Sequence, residues 1–498
     1  MMLHACTRLL PAWLLAAGFL AAPAFAQEEE PPQPAPEAEE AVEQAEVAPA
    51  EEPADDTVSP WLAVIGGDVY TVTDGVHRGA TVLCKDGRIV AIGADLRVPE
   101  GARTVDATGM RVYPGLVAVN TSGVVRADAR GTDNHDPYAL NQDLALTGGL
   151  TTVENGGAVV KLKRGSLDGI IVGETGWVRL DVAPGNTRGR REVYAGLDKA
   201  RDFLRQRRAY QVAKEAGAAE GMEEPDPKSV DRRYLSLLEG DASAYFRADR
   251  LGDLLAICDL LEAYPMAAII DGGREAWSIA GRLGRTGARM ILIPRDKDWA
   301  DDSLNRPSGW SIENARTLWE HGVEFSILPA DTPYGGVRGR GVSTGGIGGR
   351  DLVTLPIAAA YAIRGGLPQD VALRALTIDA ARILGVDGRI GSLEPGKDAD
   401  LIICDGDLFH YRTFVQWSVI DGEVIYDKEQ MPYFAHVRPR PEPTPGQMLD
   451  ALRAAAAMQP VEEEVIEPEI IEEEIVEEEV VEEEVVEEVV VEEPDGSR

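Results

Sequence analysis

Two neighbouring stretches, A-L-T-I-D-A-A-R-I-L-G (375–385) and G-S-L-E-P-G-K-D-A-D-L (391–401), mark where the pattern of this 498-residue chain changes. The first closes a region, about 115–385, in which short apolar strands alternate with helical stretches. The second opens a β region, about 399–426, where A-D-L-I-I-C-D and W-S-V-I-D-G-E-V-I-Y read as strands and Asp421-Gly422 as a hairpin turn. A matching β region lies upstream at 61–112, where L-C-K-D-G-R-I-V-A-I-G turns at Asp86-Gly87.

In the middle region the expected strands are 116–120, 151–154, 244–249, 267–271, 290–294 and 325–329, with helices over 251–263, 275–285 and 312–321. That rhythm belongs to a parallel sheet, and its length suits one eight-stranded barrel. The charged stretch 200–235 reads as a surface excursion. The fold expected is therefore α/β: a TIM-like (β/α)8 barrel with a composite β-sandwich built from both flanks, and disordered acidic tails. The corresponding divisions are a signal peptide (1–26), an acidic Pro/Ala linker (27–56), the first part of the sandwich (57–113), the barrel (114–390), the second part of the sandwich (391–436), a linker or helix (437–460) and a Glu/Val-rich tail (461–498).

Residues 60–430 resemble the amidohydrolase superfamily, in particular its imidazolonepropionase-like members. The resemblance is carried by the two opening stretches, by Pro114-Gly115-Leu116, and by Gly149-Leu150-Thr151-Thr152-Val153. It implies a hydrolase of carbon–nitrogen, non-peptide bonds that uses zinc or another divalent metal at the carboxyl ends of the barrel strands. The metal would lower the pKa of bound water, and an aspartate after strand eight would serve as general base.

Carried over position by position, the pattern breaks. P-G-L-V-A-V-N-T-S (114–122) puts Asn120 and Ser122 where the resemblance implies two histidines. Y-F-R-A-D-R (245–250) puts Arg247 and Asp249 at the strand-five position, and I-I-D-G-G-R-E-A (269–276) puts Gly272 at the strand-six position. Only the strand-eight aspartate is kept, as Asp331, which is the one candidate catalytic residue. The histidines remaining after the signal peptide are His77, His135, His321, His410 and His436, and no pair has ligand spacing. His135 alone falls in a loop on the expected active face, where it reads as an exposed loop residue.

Oxygen ligands offer another route: Asp249, Asp271, Asp331 and Glu154 could hold Mg²⁺ or Ca²⁺. Against that, Arg247 and Asp249 lie two apart on one strand, so Arg247 carries a fixed positive charge to the same place. A guanidinium clamped by Asp249 and Asp331 would satisfy both carboxylates without an ion. No metal cofactor is therefore expected, and activity is doubtful. The competing readings are a degenerate hydrolase and a non-catalytic periplasmic binding or envelope scaffold protein. Its partner would be a small molecule at the barrel mouth. The basic, glycine-rich stretch 336–350, with Arg338, Arg340 and Arg350, reads as a flap over that mouth; it lacks the phosphate-loop pattern.

The ends explain the composition. Net charge is −36, but residues 27–56 hold 12 acids and no bases, and residues 461–498 hold 19 acids and one Arg. The acidity belongs to the tails, and such a chain is not built for nucleic acid, which needs clustered Lys and Arg. In the tail, apolar pairs recur every five residues, a period that keeps no single face on a helix or a strand. Arg8, the apolar run 9–22 and Ala24-Phe25-Ala26 read as a cleaved export signal, so a periplasmic or secreted location is expected, without a membrane span. Cys84, Cys258 and Cys404 are too far apart in sequence for a disulfide framework and read as buried free thiols.

Overall fold

The computed structural model describes residues 59–295, 300–329, 342–343 (backbone only) and 355–431. These lie in the compact unit Ser59–Arg498. The signal peptide, both acidic tails, the 437–460 segment, Asp331, Arg338, Arg340, Arg350 and His436 lie outside the described residues.

The N-terminal flank supplies β1 (Trp61–Tyr70), β2 (Val76–Lys85), β3 (Arg88–Gly93), β4 (Arg103–Asp106) and β5 (Arg111–Pro114). The middle region supplies β6 (Leu116–Ala118), β7 (Thr121–Ser122), β8 (Leu150–Asn155), β9 (Ala158–Lys161), β10 (Ile171–Glu174), β11 (Trp177–Arg179), β12 (Ser243–Ala248), β13 (Ala268–Gly272), β14 (Arg289–Leu292), β15 (Phe325–Ile327) and β16 (Val342–Ser343). The C-terminal flank adds β17 (Leu401–Cys404), β18 (Val415–Ile420) and β19 (Glu423–Asp427).

Both flanks build one structure, as expected. The strands run β19-β18-β17-β5-β1-β2-β3, with β4 on β1, and the join is the antiparallel pairing of β17 with β5, Leu401 opposite Pro114. They form one continuous eight-stranded sheet rather than two separate ones, around a core that includes Leu62, Val64, Val82, Ile89, Leu401 and Val419. Both Asp-Gly turns are present: Asp86 and Asp421 adopt φ 49°, followed by left-handed Gly87 and Gly422.

The middle region differs from a uniform (β/α)8 ring. Its strands fall into a four-stranded sheet, β10-β9-β8-β6, and a five-stranded parallel sheet, β11-β12-β13-β14-β15. β9 runs antiparallel to β8 because Asn155-Gly156-Gly157 turns the chain straight back, with both glycines at positive φ (59° and 94°). Among the described residues no strand pairing joins β15 directly to β6. The short strands β7 and β16 pair in parallel beyond them, and the helices Gln369–Leu376 and Ile378–Leu384 pack on both β6 and β15.

The helices follow the apolar periodicity. Leu251–Ala263 is a single helix burying Leu254, Ile257, Cys258 and Leu261. The 275–285 expectation divides into a 3₁₀ turn (Ala276–Ile279) and a helix (Ala280–Thr286), and the 312–321 helix is Asn314–Glu320. The charged excursion lies largely at the surface, as expected, and begins as part of a 29-residue helix, Thr187–Glu215, with Asn186 accepting the Gly189 N–H at its start. Its buried residues, Val193, Leu197, Ala200 and Phe203, recur at helical spacing in a largely polar sequence, which hides the stripe. Cys84, Cys258 and Cys404 are buried free thiols, as expected. No helix among the described residues is long and apolar enough to cross a membrane.

Candidate functional site

The site is set by strand register. Arg179 stands beside Tyr245, Arg247 beside Asp271, Asp271 beside Ile291 and Ile291 beside Ser326. Residues paired in parallel register, and those two apart on a strand, point to one side of the sheet. Trp177, Arg179, Tyr245, Arg247, Asp271 and Ser326 therefore share one face. By alternation Phe246 is on the other face, in the main hydrophobic core with Ile257 of helix Leu251–Ala263; the cleft beside them also reaches Arg247.

Tyr245 organises this face. Its hydroxyl donates to Asp271 Oδ2 at 2.7 Å, Trp177 stacks on its ring at 5.0 Å, and the Arg179 guanidinium lies 4.9 Å from the ring centroid. Asp271 is 3% exposed. Burial pushes its carboxyl above the ordinary range, against the Tyr245 hydrogen bond and the charges of Arg247 and Arg179. Glu154, at the end of β8, is also buried. Desolvation raises its carboxyl too, against the Gly157 N–H (2.8 Å to Oε1) and the charge of Arg179. Arg179 and Arg247 are both exposed, and among the described residues neither guanidinium lies within 4.0 Å of a carboxylate.

The matched positions take different places. Asn120 is half-buried just beyond β6, and Ser122 is exposed in β7, opposite Ser343. Gly272 is buried at the end of β13 with φ 120°. Asp249 is half-buried beyond β12, and among the described residues it forms an ion pair with Arg274 at 3.7 Å. The expected clamp of Arg247 on Asp249 is thus not formed. β12 ends at Ala248, so the alternation that would align residues 247 and 249 stops before Asp249. His135 also departs from expectation. It is buried, its Nδ1 accepts the Arg126 N–H at 3.4 Å, and desolvation lowers its pKa.

Trp177, Arg179 and Tyr245 were not singled out by sequence reasoning. A signal was present: W-V-R places residues 177 and 179 on one face, and Tyr245 lies two before Arg247.

A divalent metal can be tested against this donor set. No imidazole stands at any matched position among the described residues. There too, no three His, Cys, Asp or Glu side chains come together to hold an ion. Arg247 directs a fixed positive charge at Asp271. These residues do not fit a zinc centre.

Asp271 yields a pH test with a definite sign. Its folded value is raised, so the unfolded chain loses that proton first as pH rises. The cost to stability is absent below the ordinary carboxylate value of 3.8 and grows as pH rises through the folded value. Asp271→Asn should therefore gain stability relative to the wild type between pH 4 and pH 7. Urea denaturation at several pH values would measure this, and a difference that is flat or falls with pH would contradict it.

Comparison with known proteins bears on the scaffold. The family model described as "Amidohydrolase family" matches residues 267–426. An imidazolonepropionase of Symbiobacterium thermophilum is 26% identical across 69% of this chain and 90% of its own length. A dihydroorotase of Citrifermentans bemidjiense is 32% identical over 92 residues, so the chain matches only 21% of that enzyme's length. The solved amidohydrolase of Thermotoga maritima is covered completely by 74% of this chain, at 23% identity and a TM-score of 0.51, and so shares its fold.

Proposed function

Because the chain belongs to the amidohydrolase superfamily, we propose that it is a metal-free relative of the hydrolases of carbon–nitrogen bonds, one that binds a small molecule at the barrel mouth without hydrolysing it. One observation carries this reading. At the strand-five position, where a ligand to the metal is implied, Arg247 stands in register with Asp271 and adds a fixed positive charge to the place a cation would occupy. Fold does not dictate activity; the site does. The substitutions at Asn120, Ser122 and Gly272 remove the other nitrogen donors together, and Asp331 is left as the one matched carboxylate of the reaction. Export to the periplasm or beyond belongs to the same proposal.

The test is turnover. The purified exported chain, supplied with Zn²⁺ or Mn²⁺, should not open hydantoin or dihydroorotate and should not cleave dipeptides. Metal-dependent hydrolysis that is lost in Asp331→Asn would overturn the proposal and restore a working hydrolase.

A further inference from the structure

Hydrogen-bonding capacity left uncommitted on the Tyr245 face is mostly that of donors. An arginine only donates, and so does a tryptophan indole. Arg179 and Arg247 make no ion pair among the described residues, and the buried Trp177 Nε1 has no hydrogen-bond partner there. Ser326 Oγ, fully buried one strand beyond Ile291, is likewise without a partner. Buried polar groups without partners are rare and call for a cause. Asp271, the carboxylate of this face, already receives the Tyr245 hydroxyl. A ligand matching this surface must accept hydrogen bonds and carry negative charge.

The spacing suits a single oxyanion. Arg179 is level with Tyr245, and Arg247 is two residues further along the neighbouring strand. Diagonal neighbours of this kind lie within reach of each other's long side chains. The Arg179 guanidinium lies 4.9 Å from the Tyr245 ring centroid and makes no ion pair among the described residues.

We propose that Arg179 and Arg247 form a receptor for the carboxylate of a small organic acid. The planar fork of a guanidinium matches a carboxylate in a bidentate way. Glu154 and Asp271 already bring two carboxyl groups to the same surroundings, so a monoanion balances the site better than a doubly charged phosphate. This inference rests on the metal-free reading of the mouth.

Calorimetric titration of the full exported chain with acetate, benzoate and N-acetylglycine provides the test, with benzamide as a neutral analogue and inorganic phosphate as a second anion. At least one carboxylate should bind, benzamide should not, and phosphate should be at least tenfold weaker. Arg179→Gln and Arg247→Gln should each weaken carboxylate binding about tenfold or more, the worth of one charged hydrogen bond. Arg274→Gln, whose partner is Asp249, should change it by no more than about twofold. Binding of none of the three acids, tighter binding of phosphate, or indifference to both Arg179→Gln and Arg247→Gln would overturn the receptor. Repeating the titrations on chelator-treated and Zn²⁺-loaded protein separates the two ideas. Equal arginine-dependent binding in both keeps the receptor whatever becomes of the metal-free reading. Binding that requires Zn²⁺ and ignores the arginines defeats both.

Discussion

Replacing Lys161 by methionine should cost about 3–5 kcal/mol of folding stability, the range for breaking a buried ion pair by removing one partner. Lys161, the last residue of β9, is wholly buried. Its Nζ lies 2.8 Å from Asp398 Oδ2, 2.9 Å from Asp400 Oδ2 and 2.5 Å from Asp421 Oδ1. Arg389 also holds Asp398, and Lys163 also holds Asp421, whereas among the described residues Asp400 pairs with Lys161. The variant would leave that carboxylate buried without its cation. Lys161→Met/Asp400→Asn should recover part of the loss. Urea denaturation measures both, and a loss below about 1 kcal/mol for Lys161→Met would contradict the role assigned to it.

The pH window of this cluster follows from its shifts. Burial pulls Lys161 down, but the charges of Asp400 and Asp421 outweigh it and hold the amine above the ordinary value of 10.5. Its stabilisation is complete below that value and is lost as pH rises through the folded one. Asp421 is pushed up by burial and more than brought back by Lys161 and Lys163, to below 3.8. Its contribution is present above 3.8 and lost as pH falls through the folded value. Asp400 opposes this, because burial leaves its carboxyl raised. Removing Lys161 also removes the charge that holds the Asp400 carboxyl down, so the cost of Lys161→Met should grow as pH rises past the folded Asp400 value.

Phe246→Ala should cost about 3–5 kcal/mol, as expected for truncating a buried phenylalanine in a packed core. Phe246 is 1% exposed and belongs to the main hydrophobic core. The next residue should behave in the opposite way. Arg247 is exposed and makes no ion pair among the described residues, so Arg247→Ala should change stability by no more than about 0.5 kcal/mol. The contrast between adjacent positions tests which face of β12 meets the helices. Similar costs at 246 and 247, by the same denaturation measurement, would show the faces wrongly assigned.

The Lys161 cluster gives a physical reason for G-K-D-A-D. Asp398 and Asp400 are the anions that anchor the returning β segment to β9, and Asp421 joins them from the Asp-Gly turn. The motif could be read as a fold marker, whereas its partner in V-V-K-L-K looked like an ordinary strand lysine. Apolar strands were readable for the same reason that they are buried: β6, β8, β12, β13, β14 and β15 all fall within the expected stretches or a residue or two of them. Hairpin β8–β9 was not recognised, although Asn155-Gly156-Gly157 carried the turn signal.

The site was harder to read because it depends on register between strands far apart in sequence. The loss of the implied histidines could be read directly from Asn120, Ser122 and Gly272. The bond from Tyr245 to Asp271 and the placing of Arg179 on the Tyr245 ring could not, since nothing local in W-V-R indicates which strand lies beside it. Pairing Arg247 with Asp249 by alternation failed for a related reason: the strand ended one residue too soon.

The central claim, that the Arg247 guanidinium stands where a metal ligand is implied, is tested most directly by elemental mass spectrometry of the exported chain purified without chelators. Zinc, manganese, iron, magnesium and calcium should each fall far below one ion per chain, and Asp331→Ala should leave those values unchanged. Close to one ion per chain in the wild-type protein, lost in Asp331→Ala, would contradict the claim.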